Sequence, residues 1–319
     1  MNLLETFWRT VRFDWPTYRA IYPELAEKGV TSRWRGVQHW FLHGRKEDRI
    51  LPCKGNPHPF RPHPRRLIID LTTACTLDCT DCNRLCGEQQ APAQTHMRPE
   101  QIALFIRESL AARRTWEMIL LEGGEATLNP WLDEILAMLL ENRARLFPTG
   151  QVYLCSNGYA EATRAVLRRY QGVVAIRNSQ KAGSDQAHHQ PISIAPDDLP
   201  QFAGHDFSPG CAFPVHFGIG LTPAGYYPHP ICGALDRVFG FDIGERSLPS
   251  ADHDWRQSCT ALCRYCGMYL WQGLHLEEPL RRAADGFDSN ISPSWQEAFA
   301  RFQAAPPRMN GYGQDKAGA

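Results

Sequence analysis

The sequence lacks an excess of charge of either sign, long apolar runs and a recognisable export signal. Its 319 residues carry 34 Lys and Arg against 34 Asp and Glu, which argues against a nucleic-acid binder held by bulk positive charge. No stretch approaches the roughly 18 uninterrupted apolar residues of a membrane span. The opening stretch MNLLETFWRTVRFDW is charged throughout and has no small-residue cleavage site, so we expect no signal peptide and a cytoplasmic protein.

Cysteine, in contrast, is abundant, with eleven residues. The cytosol keeps thiols reduced, and disulfide frameworks belong mainly to small secreted domains. Most of these cysteines fall in tight clusters or in spaced pairs near glycine-rich turns. That distribution is typical of metal ligands and indicates iron–sulfur or zinc binding.

Strand-like and helix-like segments alternate between residues 65 and 179. The predicted helices, with apolar residues every three or four positions, cover 99–113, a stretch beginning at Asn129-Pro130, and 161–170. Such alternation predicts a parallel sheet, either open or curled into a partial barrel. The strand-like segments are RRLIIDLTT, EMILL, QVYLCSNG and GVVAIRNS.

Cys75, Cys79 and Cys82 form a C-x3-C-x2-C loop directly after the first predicted strand, where α/β folds place their active sites. Three thiolates can bind three irons of a 4Fe-4S cluster and leave the fourth iron open. This loop resembles the signature of the radical S-adenosylmethionine superfamily. The resemblance implies a partial (β/α) barrel in which the open iron chelates S-adenosylmethionine. In one departure, Asp81 stands where the family usually has an aromatic residue.

Two further motifs follow the second and third predicted strands. Gly123-Gly124-Glu125 resembles the family's GGE motif, which implies contact with the amino group of S-adenosylmethionine, with glutamate as its charge partner. Ser156 and Asn157 resemble the family's motif near the ribose. Each motif alone is weak, but their order after successive strands favours the radical enzyme.

The alternative for the first loop is a structural zinc site, for which Cys86 or His96 would supply the fourth ligand. That interpretation leaves the two following motifs unexplained. Cys86 is otherwise a core or loop thiol, and Cys53 and Cys155 are interpreted as small apolar residues.

A second set of cysteines lies in the last third of the chain. Cys211 and Cys232 flank a hairpin predicted at 214–227, and this arrangement resembles the shortened twitch form of the SPASM domain. The resemblance implies one auxiliary 4Fe-4S cluster with four cysteine ligands, which carries electrons without touching the substrate. One alternative is a zinc knob. The other is that this set, whose Cys259-x3-Cys263-x2-Cys266 spacing repeats that of the first loop, is the S-adenosylmethionine site instead, although no strand-like run precedes it and no GGE segment follows it. The implied ligands are Cys211, Cys232, Cys263 and Cys266, with Cys259 as an alternative ligand.

The N-terminal segment resembles a short helical module found in glycosyltransferases and polysaccharide-biosynthesis proteins. The resemblance rests on YPEL at residues 22–25 and HWFLHG at residues 39–44. His39 and His43 lie one helical turn apart and could bind a metal. We expect them instead to pack within a small helical hairpin.

We therefore predict an α/β chain with a partial (β/α) barrel of the radical S-adenosylmethionine type, preceded by a small helical unit and followed by a twitch-like auxiliary domain. Three polar residues are predicted to meet the substrate, namely Arg177, Lys181 and Tyr226. The predicted units are 1–60 (helical module and linker), 61–205 (barrel), 206–285 (auxiliary domain) and 286–319 (a helix at 292–303 and a disordered tail).

The predicted activity is hydrogen abstraction by a 5′-deoxyadenosyl radical from a sugar, aminocyclitol or nucleotide-linked sugar. By analogy with aminocyclitol dehydrogenases, the auxiliary cluster would accept an electron, and a flavodoxin or ferredoxin would supply the first one. No nucleic-acid or membrane partner is expected. Two alternatives stay open: modification of a ribosomally made peptide by thioether formation, crosslinking or epimerisation, and a non-catalytic metal-binding module in glycan assembly.

Overall fold

A six-stranded, mostly parallel sheet in the order β4-β3-β2-β1-β5-β6 forms the centre of the fold. The computed structural model describes residues 10–47, 49, 51–54, 60–79, 81–87, 94–183, 192–272 and 291–313. Over these ranges, every helix is too short or too polar to cross a bilayer. The strands are β1 (Arg66–Asp70), β2 (Met118–Glu122), β3 (Gln151–Ser156), β4 (Ala175–Asn178), β5 (Ile219–Thr222) and β6 (Gly225–Tyr227).

The helices that the structure describes cover both faces of this sheet. The three middle residues of β1 and of β2 are buried, as expected for parallel strands packed on both sides. The helices are α1 (Trp15–Ile21), α2 (Arg33–His39), α3 (Pro99–Ala111), α4 (Leu132–Glu141), α5 (Arg143–Leu146), α6 (Glu161–Tyr170), α7 (Phe213–Phe217), α8 (Pro230–Phe239), α9 (Arg256–Leu262), α10 (Gly267–Gln272) and α11 (Pro293–Ala304).

The predicted alternation of strands and helices from β1 to β4 is confirmed. Strands β1, β2, β3 and β4 are parallel neighbours. Helix α3 buries Ile102, Phe105 and Ile106, and the spacing of these apolar residues is the pattern that predicted the helix. Helix α4 begins two residues after the expected point because the Asn129 side chain accepts a hydrogen bond from the Trp131 amide at 2.8 Å. The carboxyl ends of the four strands therefore meet at one edge of the sheet.

The hairpin predicted within the auxiliary domain is part of this same sheet. Strand β5 lies parallel to β1, with Leu67 opposite Ile219, and β6 returns antiparallel to β5. Every residue of β5 is buried, so this strand has the character of a central strand. A domain boundary near residue 205 consequently divides the sheet instead of separating two units.

The predicted disordered tail is wrong for residues 305–313. Tyr312 is only 3% exposed, and its amide donates to the Pro223 carbonyl at 2.8 Å. Its hydroxyl contacts Glu108 on α3 and Tyr226 on β6. A buried aromatic ring with these contacts anchors the segment after α11. Residues 314–319 lie outside the described residues.

The N-terminal segment contains two short helices, and the existence of a separate helical unit there stays a prediction. Its helices α1 and α2 are followed by a π-helical turn over Trp40–Gly44. The Tyr18 hydroxyl lies 3.1 Å from Nδ1 of His39, and the ring of His39 lies 5.5 Å from that of His43. These contacts support the packing role of the two histidines. The resemblance to polysaccharide-associated modules stays a prediction.

Candidate active site

The glycine pair after β2 lies directly against the loop that begins the cysteine motif. The Gly124 amide donates to the Thr72 carbonyl at 2.7 Å, and the Glu125 amide donates to the Ala74 carbonyl at 2.8 Å. Gly123 has φ +129°, and a Cβ there would lie 2.3 Å from the Thr72 carbonyl oxygen. Only glycine permits this approach. The two loops therefore form one backbone surface at the carboxyl edge of the sheet.

Gly124→Ala is expected to separate these loops. The added Cβ would lie 2.3 Å from the Ala74 carbonyl oxygen and 3.1 Å from the Cys75 Cβ. We expect a loss of about 1–3 kcal/mol in the free energy of unfolding and reduced iron binding, measured by denaturant titration and iron analysis. Gly183→Ala is the control, since nothing lies within 4 Å of its added Cβ. Equal iron content in the two variants would contradict the close contact.

Glu125 connects the second motif to the third. Its side chain is fully buried. The carboxylate accepts hydrogen bonds from the Thr127 hydroxyl at 2.8 Å, the Ser156 hydroxyl at 3.1 Å and the Asn157 amide at 2.8 Å. The observed role of Glu125 is to hold the Ser156-Asn157 loop in place. Its predicted contact with the amino group of S-adenosylmethionine stays a prediction.

Asn157 in turn reaches the cysteine loop. Its Nδ2 donates to the Thr76 hydroxyl at 3.0 Å and lies 3.7 Å from the Cys75 sulfur. Its Oδ1 accepts from the Tyr159 amide at 2.9 Å, which fixes the orientation of the side chain. The structure therefore brings together the cysteine loop, the glycine pair and Ser156-Asn157, all of which the sequence predicted separately.

The loop after β4 supplies a cation to the same cluster of side chains. The Lys181 amide donates to the Asn157 carbonyl at 2.8 Å, and its ammonium lies 3.7 Å from the Cys79 sulfur. Arg177 takes a different direction, because its guanidinium stacks 4.2 Å above the Tyr153 ring. Lys181 is therefore placed to neutralise a thiolate. The predicted substrate role of both residues stays a prediction.

The thiols of the first loop experience different environments. Burial raises the pKa of Cys75 to about 11. Burial also raises the pKa of Cys79, and the positive charge of Lys181 partly offsets that rise. A hydrogen bond from Cys86 lowers the pKa of Cys82 to about 6. Cys86 is therefore a hydrogen-bond partner of the predicted ligand Cys82. His96, the other candidate for a fourth zinc ligand, has its Nδ1 2.8 Å from the Thr72 hydroxyl.

Five cysteines from three segments surround one small cavity of about 30 Å³ with an apolar lining. Burial raises the pKa of Cys211 and raises the pKa of Cys266 to about 12. Cys259 hydrogen-bonds with Cys263 one turn later, so both alternatives for the fourth ligand face this cavity. All the residues predicted for the second set are therefore together: Cys211, Cys232, Cys259, Cys263 and Cys266.

The described residues contain no ready-made site for a single metal ion. Over the described ranges, no group of three or more His, Cys, Asp or Glu side chains is placed to hold one metal ion. A tetrahedral zinc site needs four ligands around one point, whereas each thiolate of a cubane binds a different iron. The thiols of the second set lie around one cavity, whereas Cys75, Cys79 and Cys82 are not among the residues that line it.

Tyr226 does not lie with the other predicted substrate residues. It is fully buried, and its hydroxyl contacts Glu108 on α3 and Tyr312. Burial raises its pKa. Successive residues of a strand point to opposite faces, so Tyr227 points away from this cluster. The contacts of Tyr226 place it in the packing of the C-terminal segment and do not support its predicted proton-accepting role.

Arg84 forms a buried charge cluster that the sequence analysis did not identify. Asp70 and Glu122 end neighbouring strands opposite each other. Arg84 donates from Nε to Asp70 at 3.2 Å and from Nη2 to Glu122 at 2.6 Å. Its Nη1 is buried without a hydrogen-bond partner among the described residues. The signal in the sequence was an acidic residue at the end of each of two strand-like segments.

Arg84→Met is expected to lower the free energy of unfolding by about 3–5 kcal/mol, because it leaves two carboxylates with no buried cation between them. The Arg84 side chain is only 8% exposed. Denaturant unfolding would measure the loss. Arg301→Met, which removes an exposed pair with Glu297, is the control with little expected change. Equal stability of the two variants would show that the buried cluster contributes nothing.

A cavity of about 750 Å³ opens beside this charge cluster. Cys86, which forms a hydrogen bond with Cys82, lines part of this cavity, so the cavity extends close to the first cysteine loop. The C-terminal segment closes another side. The residues that line the cavity include Asp70, Thr72, Arg84, Arg98, Arg237 and Tyr312.

Comparison with known proteins gives one informative similarity. No protein-family model matches the chain. The chain is 27% identical over 230 residues to the GTP 3′,8-cyclase of Mycolicibacterium smegmatis (strain ATCC 700084 / mc(2)155). The aligned region covers 72% of this chain and 52% of the cyclase. The chain thus spans about half the length of this curated relative.

Among solved structures, the crystal structure of BtrN in complex with AdoMet and 2-DOIA aligns with a TM-score of 0.39 and 13% identity. The alignment covers 63% of this chain and 91% of that chain. At this level the likeness carries no argument. Beside the similarity to the cyclase stands the geometry of the site, in which the three-cysteine loop contacts the two motifs that follow it.

Proposed function

We propose that this protein is a radical S-adenosylmethionine enzyme that abstracts hydrogen from a C–H bond of a sugar, aminocyclitol or nucleotide-linked sugar. One observation carries the proposal: four loops, each following a parallel strand, meet around the C-x3-C-x2-C motif. Asn157 lies 3.7 Å from the Cys75 sulfur, and Lys181 lies 3.7 Å from the Cys79 sulfur. The motifs were expected from sequence order alone, and their contacts support one shared site.

In this proposal, Cys75, Cys79 and Cys82 hold the catalytic cluster. When bound and reduced, that cluster supplies the electron that cleaves S-adenosylmethionine into methionine and a 5′-deoxyadenosyl radical. Gly123 and Gly124 hold the loop after β2 against the cysteine loop, because a side chain at either position would meet the Thr72 or Ala74 carbonyl. Asn157 and Lys181 orient two of the thiolates.

We place an auxiliary 4Fe-4S cluster in the cavity of the second cysteine set, held by four of its five thiols. When bound, this cluster supplies an acceptor for one electron. An apolar, buried site suits electron transfer without substrate contact. Oxidation of a carbinol to a carbonyl would release one hydrogen atom to 5′-deoxyadenosyl, one proton to solvent and one electron to this acceptor. A flavodoxin or ferredoxin would reduce the first cluster.

The large cavity favours a substrate that carries phosphate. Three arginines line it against two carboxylates, and one of them, Arg84, has a buried Nη1 without a hydrogen-bond partner among the described residues. Phosphate oxygens accept hydrogen bonds from arginine in a bidentate manner. The name of the cyclase relative also denotes a nucleotide. Among the three substrate classes, these observations favour the nucleotide-linked sugar, and the N-terminal resemblance to polysaccharide-associated modules agrees with it.

The test is an anaerobic assay of the reconstituted full chain with dithionite, S-adenosylmethionine and matched pairs of sugars with and without a nucleoside diphosphate. We expect the nucleotide-linked member of one pair to increase 5′-deoxyadenosine formation and to yield a carbonyl product. Deuterium at the oxidised carbon should appear in 5′-deoxyadenosine. Stimulation by a ribosomal peptide, with no response to any sugar, would overturn the substrate proposal but leave the radical chemistry intact.

A further inference from the structure

His229 occupies a fixed position between strand β6 and helix α8. Its side chain caps α8, because Nδ1 accepts a hydrogen bond from the Ile231 amide at 3.3 Å. The rings of His229 and Phe213 pack edge to face, with their centroids 4.4 Å apart and their planes at 89°. His229 is only 3% exposed. The hydrogen bond to the Ile231 amide and the contact with Phe213 together fix the orientation of the ring.

The other ring nitrogen of His229 has no partner among the described residues. Nε2 is buried and makes no hydrogen bond there. Since Nδ1 accepts from an amide, the ring proton of the neutral imidazole resides on Nε2. Buried donors in native proteins nearly always have an acceptor. The missing acceptor must therefore lie in whatever fills the space beside the ring.

The cavity of the second cysteine set lies beside this ring. His229 lines it together with all five thiols of that set. The remaining lining is largely apolar, with Phe60, Phe213 and Ile231 among its residues. The Tyr269 hydroxyl in this lining already lies 3.0 Å from Nε2 of His205, so the other side-chain acceptors that the cavity offers to an N–H group are sulfur atoms of thiolates or of a bound cluster.

We propose that the Nε2–H of His229 donates a hydrogen bond to a sulfur of the auxiliary cluster and thereby raises the reduction potential of that cluster. This inference rests on the proposed presence of a cluster in the second set. A hydrogen bond to sulfur stabilises the reduced cluster, which carries one more negative charge, more than the oxidised one. His229 is a positioning residue in this account, not a ligand, because its only lone-pair nitrogen is occupied by the Ile231 amide.

His229→Asn provides the test, since asparagine still caps a helix but is too short to place a donor in the cavity. The measurement is a redox titration followed by electron paramagnetic resonance on the full chain with Cys75, Cys79 and Cys82 replaced by alanine, so that only the second cluster contributes. We expect unchanged iron content and a tenfold smaller reduced-to-oxidised ratio at a fixed potential, which is about 59 mV for one electron. His229→Phe should give the same shift.

The control is His253→Phe, because His253 contacts the Glu245 carboxylate at 3.6 Å outside the described lining of the cavity, so this change should leave the potential unaltered. An unchanged potential in both His229 variants would overturn the inference while leaving the cluster in place. Loss of the cluster from both variants would also overturn it, by showing that His229 holds the cluster instead of tuning it. Absence of any cluster before His229 is changed would instead refute the proposed function.

Discussion

Replacing Cys75, Cys79 and Cys82 together by alanine is expected to abolish formation of 5′-deoxyadenosine. Iron should fall from about eight to about four per chain, since one of two cubanes is lost. The reason is that these thiols are the ones surrounded by the motifs after β2, β3 and β4, with Asn157 beside Cys75 and Lys181 beside Cys79. Chromatographic detection of 5′-deoxyadenosine after addition of dithionite and S-adenosylmethionine measures the effect.

Cys53→Ala is the matched control for this triple variant. Its sulfur lies 3.6 Å from the Leu51 carbonyl oxygen, at the end of the N-terminal unit and apart from both cysteine groups. We expect it to retain both the iron content and the cleavage. Continued cleavage in the triple variant would move the radical site elsewhere, with the second C-x3-C-x2-C spacing as the next place to look.

Replacing Cys211 and Cys232 by alanine is expected to separate cleavage of S-adenosylmethionine from oxidation of the substrate. Iron should again fall to about four per chain. Cleavage should persist, because the first cysteine loop is untouched, but substrate turnover should fall at least a hundredfold for lack of an electron acceptor. The measurement compares the yields of 5′-deoxyadenosine and carbonyl product in the same reaction.

The ratio of these two products decides the role of the second cysteine set. Equal amounts of 5′-deoxyadenosine and product are expected from the unaltered chain, and excess 5′-deoxyadenosine from the double variant. Full turnover in the double variant would show that the five thiols around the cavity serve structure alone. Loss of both activities with iron still at half would indicate that the two sites depend on each other for folding.

Local patterns in the sequence were sufficient to predict the elements that position the first cysteine loop and the two motifs beside it. The spacing of Cys75, Cys79 and Cys82 is short, and the strands before each motif are marked by apolar runs. The contact between Glu125 and Asn157 follows from these local features because parallel strands bring their carboxyl ends to one edge. The predicted helices agree to within two residues for the same reason.

Features that depend on distant parts of the chain were not predicted. The Arg84 cluster requires the register that places Asp70 opposite Glu122, and no local pattern encodes a strand register. Tyr312 reverses the expectation of a disordered tail because its ring fits between α3 and β6, which a polar, proline-rich composition does not reveal. Pairing of β5 with β1 likewise brings together segments about 150 residues apart.

The second cysteine set shows both the strength and the limit of the sequence. Five cysteines in the last third of the chain predicted a common site, and all five line one cavity. No local pattern in the sequence showed that the ring of His229 lines the same cavity. In the structure this ring caps helix α8 through Nδ1, and its Nε2 is buried without a partner among the described residues.

The most direct test of the account is anaerobic reconstitution of the full chain, with iron and sulfide counted and 5′-deoxyadenosine measured after addition of dithionite and S-adenosylmethionine. We predict about eight iron and eight sulfide per chain and reductive cleavage of the cofactor. A chain that binds zinc without sulfide, or that holds its full iron yet forms no 5′-deoxyadenosine, would contradict the account.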